Sequence, residues 1–184
     1  MTSADNLKYK IMINEQSTKT ELLTATALPV ETIIGFAKPL TDENFNRVPY
    51  QNSWTAAQLM DHVTKSISGM AQTIGQQGKP ADRKPGEKIA ELKKTFLDLT
   101  TKMESPDIIL PGDGPFKKED SIAVLRKALE DLNKNSEDIN VNELMEDLPF
   151  GPVTKLELLH FTLYHTARHS YQMKRICGKL EDSN

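Results

Sequence analysis

Apolar residues recur along this chain at helical spacing, in segments separated by clusters of proline and glycine. The pattern takes hold near Ser17 and Thr18, where Glu21 follows Thr18 by three residues and completes a capping-box signature. Leu22, Leu23, Thr26, Ile33, Ile34 and Ala37 then fit one broad face. Pro29 falls inside that run and predicts a kink or break, and Pro39 predicts its end. A loop over 41–53, containing Pro49, follows. The stripe Leu59, Val63, Ile67, Met70 and Ile74 predicts a helix over 54–74, capped by Asn52 or Ser53.

Glycines and prolines mark 75–86 as a loop. Ile89, Leu92, Phe96 and Leu99 predict a short amphipathic helix over 87–103, and a second group of breakers occupies 105–115. Ile122, Leu125, Leu129 and Leu132 predict a helix over 118–135. Residues 137–145 support no assignment, and Pro149-Phe150-Gly151-Pro152 predicts a turn. Thr154, with Glu157 three residues on, is a second capping box. It opens a last helix that runs to Cys177 and ends at Gly178. No period-2 run predicts a strand, and no internal repeat is present. The pattern describes an all-α fold: a bundle of four main helices with one or two extra short helices over 17–184, behind an N-terminal arm over 1–16.

Composition narrows the functional classes. At 184 residues and 38% apolar, the chain has the size and apolar content for one core in one domain. The 23 basic and 26 acidic residues leave a net charge of −3, without the positive footprint that binds nucleic acid or an anionic membrane. Apolar runs such as 108–110 fall far short of the ~20 residues that span a bilayer. The first ten residues lack the apolar core of a signal peptide. Cys177 is the sole cysteine, so it can form no internal disulfide and no multi-cysteine metal site. A soluble, cytoplasmic protein is expected.

The chemistry then rests on the histidines. There are four: His62, His160, His165 and His169. His165 and His169 are i,i+4 in the last helix, stacked one turn apart on one face, where two imidazoles can reach one ion. His62 lies beside the apolar stripe of the second long helix, between Leu59 and Val63, and should face the bundle interior. His160 is nine residues from His169, about 900° of rotation at ~100° per residue, and so falls on the opposite side. A His-x-x-x-His pair fits a metal site, but by itself it is more often a pair of satisfied core or surface histidines. It is not the zincin pattern, because Thr166 and not Glu follows His165.

The wider arrangement is more informative. Trp54-Thr-Ala-Ala-Gln-Leu-Met-Asp-His62 opens one helix, and His165-Thr-Ala-Arg-His169-Ser-Tyr-Gln172 lies in the last. Together with the loop over 41–49 and the turn at 150–154, these segments resemble the DinB/YfiT-like family across roughly residues 18–180. The resemblance implies a four-helix bundle, often a homodimer, in which His62, His165 and His169 bind a divalent metal ion (nickel, zinc, iron or manganese). It also implies chemistry on a small-molecule substrate. Relatives of that family include S-transferases and isomerases that use low-molecular-weight thiols such as bacillithiol or mycothiol. Pro29 and the long segment over 76–117 depart from the family pattern and bear on the entrance to the site.

Three neutral imidazoles leave coordination positions open, as a catalytic site requires. The residues placed to support them are Gln58 and Ser66, one turn either side of His62, Gln172, three beyond His169, and Arg168, suited to an anionic substrate. Each also has a plainer reading, as polar surface or, for Arg168, a surface salt bridge. Asp61 reads as a solvated charge, Trp54 as helix-start packing, Tyr164 and Tyr171 as core or dimer contacts, and Cys177 as a small buried residue. Two functions are therefore expected to compete. One is a metal-dependent enzyme, a thiol-dependent S-transferase or a small-molecule hydrolase. The other is a non-catalytic helical bundle for small-molecule binding or dimeric interaction.

Overall fold

The computed structural model describes residues 13–14 and 16–182, so all of the expected arm except residues 13, 14 and 16 lies outside the described residues. Helices dominate: α1 (Lys19–Ala37), α2 (Asp42–Asn46), α3 (Ala56–Ile74), α4 (Ile89–Leu97), α5 (Lys118–Asn135) and α6 (Lys155–Glu181). A 3-10 turn spans Asp107–Ile109. Helix α1 packs on α5 and α6, and α3 packs on the same two, so the four long helices close into a ring around the core. This is the expected all-α bundle, with α2 and α4 as its extra short helices. No helix among the described residues is long and apolar enough to cross a membrane.

Both capping boxes form as the sequence predicts, at Thr18/Glu21 and Thr154/Glu157. At α3 the expected cap at Asn52 or Ser53 is wrong. Thr55 is the cap, and Gln58 three residues on completes a third capping box. Trp54 thus precedes the helix. The stripe on α3 faces the core as predicted, with Leu59, Val63, Ile67 and Ile74 buried and Met70 partly so.

Helix α1 does not break at Pro29. The proline removes one amide donor, but Pro29, Val30, Ile33 and Ile34 are all buried, and the packing of that face keeps the helix continuous. Helix α4 is shorter than predicted: it stops at Leu97, and Leu99 is exposed. The Asp98 carboxylate ends it by turning back onto the Thr100 amide and the Thr100 and Thr101 hydroxyls.

Helix α6 runs past Gly178, which is not left-handed, and its carbonyl accepts the Asp182 amide at 3.1 Å. Burial of Leu180 carries the helix the extra turn. The true breaker is Gly151, at φ +83°, in the turn that precedes α6.

A small antiparallel sheet, ordered β1 (Lys79–Pro80), β2 (Glu143–Met145), β3 (Val153–Thr154), was not expected. Its strands are two or three residues long, too short for an alternating pattern to register in sequence. Gly78 permits the close crossing beside it, since a Cβ there would stand 2.7 Å from Glu143 Cβ and 2.9 Å from the Leu144 carbonyl.

The start of α6 is fixed by charge as well as by its cap. The Glu157 carboxylate is fully buried and accepts both Arg83 guanidinium nitrogens at 2.6 Å, the Lys88 amide at 2.8 Å and the Thr154 amide at 2.8 Å. Burial by itself would raise the Glu157 pKa, but these donors outweigh it and hold the carboxyl below its ordinary range. Next to it Lys155, also buried, pairs with Glu143 at 2.7 Å and donates to the Gln76 carbonyl at 2.6 Å.

Removing one partner of a buried pair leaves the other charge uncompensated. Glu157→Ala is therefore expected to destabilise the protein by about 3 kcal/mol or more, read by urea denaturation at neutral pH. The stabilisation from Glu157 is present above the unfolded carboxyl pKa and is lost as pH falls through its depressed folded value, so the gap between wild type and variant should narrow in acid.

Candidate metal centre

Helix α6 is the most enclosed helix, with 18 of its 27 residues buried, and it packs against α1, α3 and α4. Polar side chains on it must therefore find partners inside the protein. His165 and His169 project from one face, one turn apart, and α3 brings His62 against them. His62 is 1% exposed, His165 6% and His169 7%, so the cluster is nearly shut off from solvent.

Their Nε2 atoms converge. His62 Nε2 is 3.1 Å from His169 Nε2, which is 3.1 Å from His165 Nε2, and the ligand atoms of all three lie within 4.8 Å of one another. The Nδ1 atoms point outward to partners. His62 Nδ1 meets the Ile109 carbonyl at 2.8 Å, and His169 Nδ1 meets Gln172 Oε1 at 3.0 Å. Both oxygens are acceptors, so each Nδ1 carries the proton and each Nε2 keeps its lone pair. His165 Nδ1 lies 3.3 Å from the Ser66 hydroxyl.

Two adjacent Nε2 lone pairs, 3.1 Å apart with no proton between them, repel one another. A divalent ion removes that repulsion. A tetrahedral ion holding nitrogens at about 2.0–2.1 Å places them about 3.3 Å apart, close to the 3.1 Å that His169 Nε2 keeps from each of the other two. The donor set fits a metal ion, and His62, His165 and His169 could hold one.

Aromatic rings hold the imidazoles from behind. Trp54 lies against His62 with centroids 4.8 Å apart, and Phe161 stacks on His165 at 5.3 Å. Burial favours the neutral, ligand-competent form of all three rings. It lowers His62 against the opposing effect of its hydrogen bond to the Ile109 carbonyl, drives His165 far down, and takes His169 to about 3.

A family model for the DinB superfamily matches residues 31–173, a span that includes all three histidines. The chain belongs to the DinB superfamily. It is 25% identical over 150 residues to the uncharacterized protein YuaE of Bacillus subtilis (strain 168), a match covering 78% of this chain and 90% of that relative. No solved structure matches significantly.

In this DinB-superfamily chain the expected supporting residues separate into two groups. Ser66 and Gln172 reach the Nδ1 atoms of His165 and His169. Gln58 does not reach the cluster: its side chain closes the α3 capping box and extends to the Gly112 carbonyl at 3.4 Å. Arg168 makes no salt bridge among the described residues. Its guanidinium donates to the Asp98 and Thr101 carbonyls and ties down the chain after α4.

Asp61 is not simply solvated, since it accepts the Gly112 amide at 2.9 Å and pairs with Lys65 at 2.9 Å. Tyr164 is buried core and Tyr171 is partly buried. Cys177 is buried, and burial pushes its thiol up to about 12.

His160 faces away from the cluster, as its helical phase requires. Its Nδ1 meets the Tyr164 hydroxyl at 3.1 Å, and its buried Nε2 has no partner among the described residues. The partner that the sequence could not offer is the Ile109 carbonyl, because a main-chain oxygen leaves no side-chain signature.

Burial also lowers His160, to about 4, against an unperturbed 6.5. A histidine held neutral in the fold and free to protonate when unfolded contributes full stability above about 6.5, and that stability falls as pH drops toward the folded value. Denaturation of metal-free protein across pH 7 to 4.5 should show this loss, up to about 1.4 kcal/mol per pH unit for each such group. His160→Gln should flatten the slope.

Proposed function

We propose that this protein is a divalent-metal-dependent enzyme acting on a small molecule, with the ion held by His62, His165 and His169. The observation that carries the reading is the inward convergence of three buried Nε2 atoms whose Nδ1 atoms all have other partners. A satisfied core histidine would find protein partners for both ring nitrogens, whereas here the three Nε2 atoms meet one another. Neutral imidazoles suit zinc, iron and nickel, and accept manganese less readily.

When bound, the ion supplies Lewis acidity, stabilising an anion formed from a thiol or a water at neutral pH. The chain's own part is to leave positions open, to supply three uncharged ligands that preserve the ion's charge, and to keep bulk water away. Ser66 and Gln172 fix the orientation of His165 and His169. Transfer of a low-molecular-weight thiol to an electrophile is the reaction we favour, with hydrolysis of a small activated substrate next. The single cysteine supports a reducing, cytoplasmic setting, and the family resemblance supports a homodimer.

Elemental analysis of protein purified without chelator or nickel resin tests the reading. We expect close to one metal per chain, and almost none in His62→Ala, His165→Ala or His169→Ala. The loaded protein should then consume free thiol in the presence of an electrophile, or release product from an activated ester, and lose that activity on chelation. Wild-type protein that takes up no zinc, nickel, iron or manganese when these are added would sink the proposal and favour a binding or interaction role.

A further inference from the structure

Four residues on one face of α3, Gln58, Asp61, His62 and Lys65, all reach the same stretch of main chain, 109–112, which crosses that face. His62 Nδ1 donates to the Ile109 carbonyl at 2.8 Å, and Lys65 Nζ donates to the Leu110 carbonyl at 2.8 Å. Gln58 reaches the Gly112 carbonyl at 3.4 Å. Asp61 takes the Gly112 amide at 2.9 Å with the same oxygen, Oδ2, that holds Lys65 at 2.9 Å.

The Asp61 carboxylate is thus the junction of this arrangement. It grips the main chain directly at Gly112 and, through Lys65, at Leu110. The Ile109 carbonyl lies one residue before the Leu110 anchor and three before Gly112. That carbonyl decides where the His62 proton resides, because it can only accept.

We propose that Asp61 is a positioning residue for the histidine cluster. By clamping 109–112 onto α3 it keeps the Ile109 carbonyl on His62 Nδ1, and so fixes the His62 tautomer whose lone pair is on Nε2, facing His169. The inference rests on the metal reading for its purpose and on the hydrogen bonds for its content. Without the clamp, the carbonyl moves off, the Nδ1–H loses its acceptor, and His62 can shift its proton to Nε2 and turn away. Partners of this kind commonly change metal affinity by about 10- to 100-fold when removed.

The test uses the full chain, with two readouts. Long-range proton–nitrogen NMR of metal-free protein reports the tautomer of His62, assigned by its disappearance in His62→Gln. Titration with zinc ion reports affinity. Wild type should show the Nδ1–H tautomer. Asp61→Ala should show a mixture or the Nε2–H form, and a zinc Kd raised about 10- to 100-fold.

Asp61→Asn keeps an oxygen for the Gly112 amide and should restore both readouts most of the way. If Asp61→Ala does not fold, Lys65→Met, which removes the bond to Leu110, carries the test and should move both readouts in the same direction by less. A variant that loses thermal stability but keeps the wild-type His62 tautomer, with Kd within about twofold, would overturn the inference. Wild-type protein that binds no zinc would sink the metal reading, and the tautomer comparison in metal-free protein would still decide the role of Asp61.

Discussion

The organising constraint in this protein is electrostatic crowding among three uncharged nitrogens. Three imidazoles meet inside the bundle, and the outer nitrogens of two are committed to oxygens that can only accept. Their inner nitrogens are therefore left facing each other as lone pairs at 3.1 Å. A folded protein tolerates such an arrangement only if the surrounding structure over-determines it. The surroundings here do so. The rings of Trp54 and Phe161 press on His62 and His165 from behind. Helix α6, enclosed by three neighbours, cannot rotate its two histidines outward.

The cluster is held by groups far from it in sequence. The register of α6 is set at its first turn, where Thr154, Glu157, Arg83 and Lys88 share one buried hydrogen-bond network. The register of α3 is set by Thr55 and Gln58. Both helices are thus indexed from their N-termini, three turns before His165 and two before His62. A slip of one residue at either cap would turn a histidine by ~100° and dissolve the cluster. The cap residues and the site form one mechanical unit, although none of the caps touches a ligand.

Much of this was legible in the sequence, for physical reasons that differ by element. The stripes on α3 and α5 and two capping boxes are local patterns, and local patterns survive folding. The three histidines could be grouped because helical phase excludes His160 and aligns His165 with His169. What was missed depends on non-local terms. Pro29 reads as a breaker until the packing of α1 is known. Gly178 reads as a terminator until the burial of Leu180 is known. Gln58 reads as a neighbour of His62, but a nearby backbone amide claims its side chain first. Asp61 and Arg168 read as surface charges because each bonds main-chain atoms within 98–112, and a main-chain partner leaves no mark in the sequence.

The placement of Cys177 has a chemical consequence of its own. The chain's sole sulfhydryl is 4% exposed, donates to the Phe36 carbonyl at 3.4 Å, and is held protonated far above neutral pH. Thiolate is the nucleophilic form, so this sulfur is inert toward alkylating agents, peroxides and mixed-disulfide exchange while the fold is intact. The same inertness makes the chain a clean background for a single engineered cysteine, because a probe attached there reports from one known position.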